Sequence, residues 1–166
     1  MKSISDTDIT SLAIADFFLT KQRLTPKKLQ KLTYYAYAWF IALHNQGQED
    51  ISNSLFLEEP EAWLHGPVFP SLYQKYKEYG WHEIPKKNLF FGTKFDNPDV
   101  MDVLEQVWRR YGKYSADELE FMTHQESPWK NARRGTDEFS SSRNKISKKD
   151  IFIYYNSLID EKNPED

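Results

Sequence analysis

The chain has 166 residues, a net charge of −3 at neutral pH and no cysteine. This length suits one domain, and an aromatic content of 16% supplies a sizeable core without covalent cross-links. The missing cysteine excludes disulfides, thiol catalysis and a cysteine-ligated zinc site. No apolar run approaches the roughly 20 residues that cross a bilayer, the start does not resemble a signal peptide, and the net charge does not favour nucleic acid. We therefore expect a cytoplasmic globular protein.

The first 46 residues predict two consecutive helices. The first runs from residue 5 or 6 to Lys21, with an apolar side at helical spacing that consists of Ile9, Leu12, Ala13, Phe17 and Phe18. The second covers residues 26–46, with Thr25 as its cap and Pro26 at its first position, where a missing N–H leaves no bond unmade. Its main apolar face comprises Leu29, Leu32, Ala36, Trp39 and Leu43, and apolar side chains extend beyond that face at Tyr34, Tyr35, Tyr37, Phe40 and Ile41. A helix that is apolar on so many sides is expected at the centre of the fold.

The segment after this central helix predicts a small β element and a third helix. Residues 55–65 are mixed in character and interrupted by Pro60, which favours two short extended pieces or a small hairpin. We expect Pro67 to open the next helix, which continues to Tyr79 and ends at Gly80. A strand-like patch follows at residues 89–91.

The second half of the chain predicts further helices with recognisable start signals. Asn97-Pro98 begins a helix that ends at Gly112, and residues 115–118 form a capping box. Further along we expect a short helix opened by Ser127-Pro128, a mobile loop over 135–144, a last helix opened by Ser147 with Ile151, Tyr154, Tyr155 and Leu158 facing inward, and a disordered acidic tail over 160–166. The predicted fold class is mainly α, a single-domain helical bundle around the central helix with a small β-hairpin, and the domain covers residues 1–159.

The residues that could carry chemistry do not form a recognisable catalytic or metal motif. The four histidines lack the spacing that places two ligands on one helical face, so we expect no metal and no cofactor. A small hydrolase-type enzyme would have to use His65, His124 and Glu126. A nucleic-acid-binding module would have to gather the basic residues of 130–149 on one face. Both stay open as alternatives.

Two compact clusters of ring, imidazole and proline occur where helices are expected to meet. They read Trp63-Leu64-His65-Gly66-Pro67-Val68 and Thr123-His124-Gln125-Glu126-Ser127-Pro128-Trp129. Together with the earlier run from Leu24 to Tyr35 and the junction from Tyr111 to Leu119, they resemble the SocA-like Panacea antitoxin domain, also described as the phage-associated GepA-type family. The resemblance extends from about Ile9 to Tyr155. The motif residues are Trp63, His65, Gly66, Pro67, His124, Gln125, Pro128 and Trp129, which we expect to be structural.

The resemblance implies the antitoxin of a type II-like toxin–antitoxin pair. Such a protein is not an enzyme and neutralises a cognate toxin, encoded next door, by direct protein–protein binding. A homo-oligomer and a toxin–antitoxin complex are the implied assemblies. Some relatives carry an added DNA-binding module, for which we expect no room here.

Two expectations concern individual side chains. Exposed aromatic and arginine side chains dominate binding energetics, and the candidates for the toxin surface are Tyr34, Tyr37, Trp81, Trp129, Arg133 and Arg134. His65 is expected to be buried and hydrogen-bonded to the backbone near residues 123–128, since an unpaired buried imidazole would cost about 1–3 kcal/mol.

Overall fold

The structure is a computed structural model, which describes residues 4–88 and 94–162, with side chains described as far as Ile159. Seven α-helices and one two-stranded sheet make up the regular structure of these residues. In chain order they are α1 (Ser11–Leu19), α2 (Pro26–Leu43), β1 (Glu61–Trp63), β2 (Gly66–Val68), α3 (Pro70–Tyr76), α4 (Pro98–Tyr111), α5 (Ala116–His124), α6 (Ser127–Ala132) and α7 (Lys148–Lys162). Short 3-10 turns occupy Asp6–Asp8 and Lys77–Tyr79. The predicted mainly α fold with a small β element is confirmed.

Helix α2 is the centre of the fold, as its apolar circumference predicts. It contacts α1, α3, α4, α5, α7 and β2, and every residue from 31 to 40 is buried. Thr25 caps it by accepting a hydrogen bond from the Lys28 N–H at 3.2 Å, and Pro26 occupies the first turn. The helix ends at Leu43, three residues before the predicted end, and the Leu43 side chain is 44% exposed although it was expected to face inward.

The start of α1 also differs from the sequence prediction. The helix begins at Ser11, because Thr10 caps it by accepting from the Ala13 N–H at 3.1 Å, and Ile9 is buried just before it. Leu12 and Ala13, predicted for the buried side, are only half-buried.

The β element is a hairpin that lies a few residues later than the sequence predicts. Pro67 lies in β2 opposite Ala62, and the helix that it was expected to open starts at Pro70. Leu64 and His65 form the turn. Residues 89–91 lie outside the described residues. Helix α7 continues to Lys162, and residues 163–166 also lie outside the described part.

The later helices begin where their capping signals predict. Asn97 accepts from the Asp99 N–H at 2.9 Å, and Ser115 and Glu118 form both bonds of the capping box. Ser147 accepts from the Asp150 N–H at 3.1 Å at the start of α7. Glu126, and not Ser127, is the residue that precedes α6. No helix in 4–88 or 94–162 is long and apolar enough to span a membrane.

Candidate partner-binding surface

The hairpin packs against α2 and α5 and contains a two-residue turn. Trp63 pairs with Gly66 across it, and Gly66 has a φ of +108°, a conformation that L side chains rarely adopt. A later stretch of chain supports the other edge of β1, since the Ala62 N–H donates to the Asn144 carbonyl at 2.7 Å. The Ile146 N–H donates to the Pro60 carbonyl at 2.9 Å in the same way. The hairpin is therefore anchored to the segment that leads into α7.

Side chains from α5, α6 and the residue after α6 hold the hairpin backbone along β1 and the turn. Arg133 donates from Nη1 to the Ala62 carbonyl at 3.0 Å, and the Trp129 Nε1–H donates to the Trp63 carbonyl at 2.9 Å. The His124 ring faces the Leu64 backbone. These side chains provide polar partners for peptide groups of the hairpin.

Lys31, in the second turn of α2, holds the other strand. Its side chain is buried and donates from Nζ to the Pro67 carbonyl at 3.1 Å. Burial lowers the pKa of this ammonium to about 7, because a charge is disfavoured away from water; nearby Glu120 acts in the opposite direction. Cε and Nζ of Lys31 fill the space beside Gly66, which has no side chain in that position. Gly66 and Lys31 are thus a matched pair.

The motif residues of α5 and α6 form one stacked unit behind the hairpin. The His124 ring stacks on Trp129 with centroids 4.1 Å apart, and the Arg133 guanidinium lies 5.0 Å from the Trp129 ring centroid. Pro128 is buried and Gln125 is exposed. Desolvation lowers the pKa of His124, which favours the neutral ring at physiological pH. This arrangement explains why ring and imidazole side chains cluster at the junction of two helices.

Glu126 belongs to a separate buried network. Its carboxylate accepts hydrogen bonds from the Tyr35 hydroxyl at 2.9 Å and from the Tyr155 hydroxyl. Tyr35 stacks face to face on Tyr111 at 3.9 Å, and the Trp39 Nε1–H donates to the Tyr111 hydroxyl at 2.9 Å. Burial raises the pKa of Glu126 to about 7, although both tyrosine hydroxyls partly offset the effect. The network ties α2, α4 and α7 to the residue that precedes α6.

The outer side of the hairpin displays aromatic and cationic groups that we call the hairpin face: Trp63, His65, Tyr73 and Arg143. The Trp63 and Tyr73 rings lie 4.8 Å apart, and the Arg143 guanidinium lies 5.2 Å from the Trp63 ring centroid. The His65 side chain is 71% exposed at the turn. A cleft of about 410 Å³ runs beside this face, between the hairpin and residues 141–143. These residue types are the ones that carry binding energy in protein interfaces.

Three of the six sequence-based candidates for the toxin surface are not exposed. Tyr34 and Tyr37 are 1% and 0% exposed, because α2 has packed neighbours on several sides; Tyr37, for example, packs against Phe56 and Phe69. Arg133 is 6% exposed, because its guanidinium is used on hairpin and loop carbonyls. The expectation that these three lie at the surface is wrong. Trp81 and Arg134 are exposed and Trp129 is half-buried, and their role in binding stays a prediction.

The expectation that His65 is buried is also wrong. Its Nδ1 lies 3.3 Å from the Glu120 carboxylate, and the ring points into solvent. The histidine that faces the backbone across this junction is instead His124, which lies beside Leu64. Periodicity could not distinguish these two histidines, because each flanks a turn.

The structure does not bring the three residues of the enzyme alternative into one bonded cluster. Glu126 bonds Tyr35 and Tyr155, whereas His65 faces Glu120, and within the described residues no hydrogen bond or ion pair joins Glu126 to either histidine. The described residues also contain no group of three or more His, Asp or Glu side chains that could hold a metal ion.

Four of the basic residues of 130–149 have separate structural roles. Arg133 is buried under the hairpin and Arg143 lies over Trp63. Lys145 and Lys149 lie 3.7 and 3.5 Å from Glu59 and Glu49, respectively. Side chains that are buried or neighboured by carboxylates are poorly available to phosphate groups, so the geometry does not favour the nucleic-acid alternative.

Sequence reasoning missed Lys31, Tyr73 and Arg143. Lys31 is flanked by Gln30 and Leu32 in an apolar helix, and a lysine at such a position is a visible signal for a buried cation with a specific acceptor. Nothing in the sequence marks Tyr73 as a surface group, and Arg143 falls in the segment predicted as a mobile loop. Their proximity to Trp63 is created only by the fold.

A family model described as "Antitoxin SocA-like, Panacea domain" matches residues 29–130 of the chain. The match covers more than half of the chain and includes the central helix, the hairpin and the His124–Trp129 junction. No curated protein and no solved structure matches the chain.

Proposed function

The chain belongs to the SocA-like Panacea antitoxin family, and we propose that it neutralises a cognate toxin, encoded by a neighbouring gene, by binding that toxin directly with the hairpin face. The proposal is supported by the way in which the hairpin is held and by the side chains around it. Its backbone is held at Ala62, Trp63 and Pro67 by buried or half-buried donors, while its outer side presents Trp63, Tyr73 and Arg143.

The hairpin face is already ordered before a partner binds. Association has to offset the ordering of side chains and loops at an interface, about 0.5–1.5 kcal/mol for each immobilised side chain. The Trp63 ring is already ordered from two sides, because Tyr73 packs on it at 4.8 Å and its Nε1–H donates to Glu61 at 2.8 Å. A partner therefore meets a surface that loses little freedom on binding.

Family membership favours a non-enzymatic role, and the residues of the enzyme alternative have structural explanations. The His124 ring stacks on Trp129 beside the Leu64 backbone. Glu126 accepts from two tyrosine hydroxyls, and the raised pKa follows from its burial among aromatic rings. A perturbed pKa alone does not distinguish a catalytic acid from a buried structural one.

The test compares two double variants of matched character. Tyr73→Ala with Arg143→Ala removes two exposed side chains of the hairpin face, and Trp81→Ala with Arg134→Ala removes one exposed ring and one exposed arginine elsewhere. Each is co-expressed with the neighbouring gene's product, and the affinity of the purified pair is measured by calorimetry. We expect the first variant to weaken binding by about 2 kcal/mol or more and the second by under about 0.5 kcal/mol. Thermal melts should show both variants folded.

A reversed result would move the binding surface to Trp81 and Arg134. If neither product of the flanking genes is bound or neutralised by the parent chain, the antitoxin proposal itself is wrong. If the parent binds and both variants bind as tightly, antitoxin function stands and the hairpin face is excluded.

A further inference from the structure

A second groove lies at the other end of the central helix, between α2, α4 and α7. It has a volume of about 440 Å³, which is in the range of specific binding sites, and apolar side chains of Leu43, Val103, Val107 and Ile159 line it. Leu43, the last residue of α2, is 44% exposed at its edge. None of the residues described as lining the groove carries a carboxylate, whereas two arginines, Arg109 and Arg110, line it.

The guanidinium of Arg110 is held in place by aromatic rings. It lies 5.1 Å from the Trp39 ring centroid and 5.4 Å from the Tyr111 ring centroid. The two rings are themselves linked, since the Trp39 Nε1–H donates to the Tyr111 hydroxyl at 2.9 Å. Stacking over rings leaves the edge N–H groups of a guanidinium available to an acceptor.

Among the described residues no carboxylate forms an ion pair with Arg109 or Arg110, although Arg110 is close enough to the buried Glu126 to lower its pKa. Glu105, which stands four residues before Arg109 and could pair with it along the helix, is 3.1 Å from Lys21 instead. Asp102 accepts from Gln106 at 2.8 Å. The groove therefore presents two exposed cations next to an apolar floor.

We infer that this groove binds an acidic segment of a protein partner, one that presents large apolar side chains to the floor and carboxylates to Arg109 and Arg110. Charge complementarity selects the occupant, because Arg–carboxylate pairs are bidentate and directional and a cationic segment would be repelled. The groove and the hairpin face are separate surfaces. Lys31 and Leu43 are separated by 12 residues of helix, about 18 Å at 1.5 Å per residue, so the two surfaces can be occupied together.

The probe is a fluorescein-labelled 12-residue peptide with leucine at helical spacing and glutamate at the other positions. A second peptide replaces each glutamate by lysine, and a third replaces each leucine by alanine. Fluorescence polarisation against the full chain, in low and high salt, should show saturable and salt-sensitive binding of the first peptide only. Arg109→Gln with Arg110→Gln should reduce its affinity at least tenfold, and Leu43→Gln should also weaken it.

The matched control is Lys130→Gln with Arg134→Gln, which removes two exposed positive charges away from the groove and should change the affinity less than twofold. Melting curves of all variants establish that they are folded. The inference is overturned if the glutamate peptide does not bind, if the lysine peptide binds equally well, or if the Arg109/Arg110 variant binds like the parent. None of these outcomes bears on toxin binding by the hairpin face.

Discussion

Lys31 and Gly66 occupy one space between the central helix and the hairpin. A Cβ atom built on Gly66 would lie 2.5 Å from Cε of Lys31 and 3.0 Å from its Nζ. The same ammonium donates to the carbonyl of the following residue, Pro67. The buried lysine and the hairpin therefore fit together only while position 66 has no side chain.

We predict that Gly66→Ala destabilises the protein by about 2 kcal/mol or more, since it combines a strained positive φ with displacement of Lys31. Gly47→Ala is the matched control, because nothing lies within 4 Å of a Cβ at that position, and its effect should stay within about 0.5 kcal/mol. Urea unfolding followed by circular dichroism measures both. Equal stability of the two variants would contradict the packing described for Lys31.

Arg133 and Arg134 are adjacent in sequence, but their substitution should change stability by very different amounts. Arg133→Met leaves the Ala62 carbonyl without its donor and should cost about 2 kcal/mol or more, because Arg133 also donates to the carbonyls of Asp137 and Ser140. Arg134→Met removes an exposed side chain and should change stability by under about 0.5 kcal/mol. Thermal unfolding measures the stability of both variants. An Arg133→Met protein as stable as the parent would show that the hairpin does not depend on the bond from Arg133 to the Ala62 carbonyl.

Glu126 should make the free energy of unfolding depend on pH between about 4.5 and 7. Its pKa is about 7 in the folded protein and 4.5 in an unperturbed glutamate, so the folded state holds the proton more tightly. The stabilisation from protonation is complete below pH 4.5 and is lost as the pH rises through 7. At about 1.4 kcal/mol for each pKa unit, the loss is about 3 kcal/mol.

Glu126→Gln provides the comparison, since the amide can bond both tyrosine hydroxyls but does not titrate. The free energy of unfolding is measured from pH 4.5 to 7.5 for both proteins. We expect the parent to lose about 3 kcal/mol relative to the variant across this window. Parallel pH profiles would mean that Glu126 titrates at an ordinary pKa.

His65→Ala should leave the fold essentially unchanged. The ring is 71% exposed, and the carboxylate that it faces, Glu120, also pairs with Lys27 at 2.8 Å. Removing such a surface contact typically costs under about 1 kcal/mol. His124→Ala should cost more, because it removes a half-buried ring that stacks on Trp129 beside the hairpin. Melting curves that rank the two histidines in the reverse order would restore the buried role expected of His65.

The sequence by itself determined the helices and the position of the central one. Thr25, Asn97 and Ser115 cap their helices through bonds to backbone N–H groups only two or three residues away, so the relevant information is local. The apolar circumference of α2 likewise predicted burial on many sides. Such signals are readable because both partners of each interaction lie within one turn of helix.

The tertiary structure decided which side chains reach the surface and which residues form the candidate sites. Tyr34 and Tyr37 lie off the main apolar face of α2, yet both are buried because other elements cover those sides as well. Trp63 meets Arg143 across 80 positions of sequence, and Lys31 meets Pro67 across 36. Periodicity describes one element at a time, whereas these contacts depend on how separate elements pack against each other.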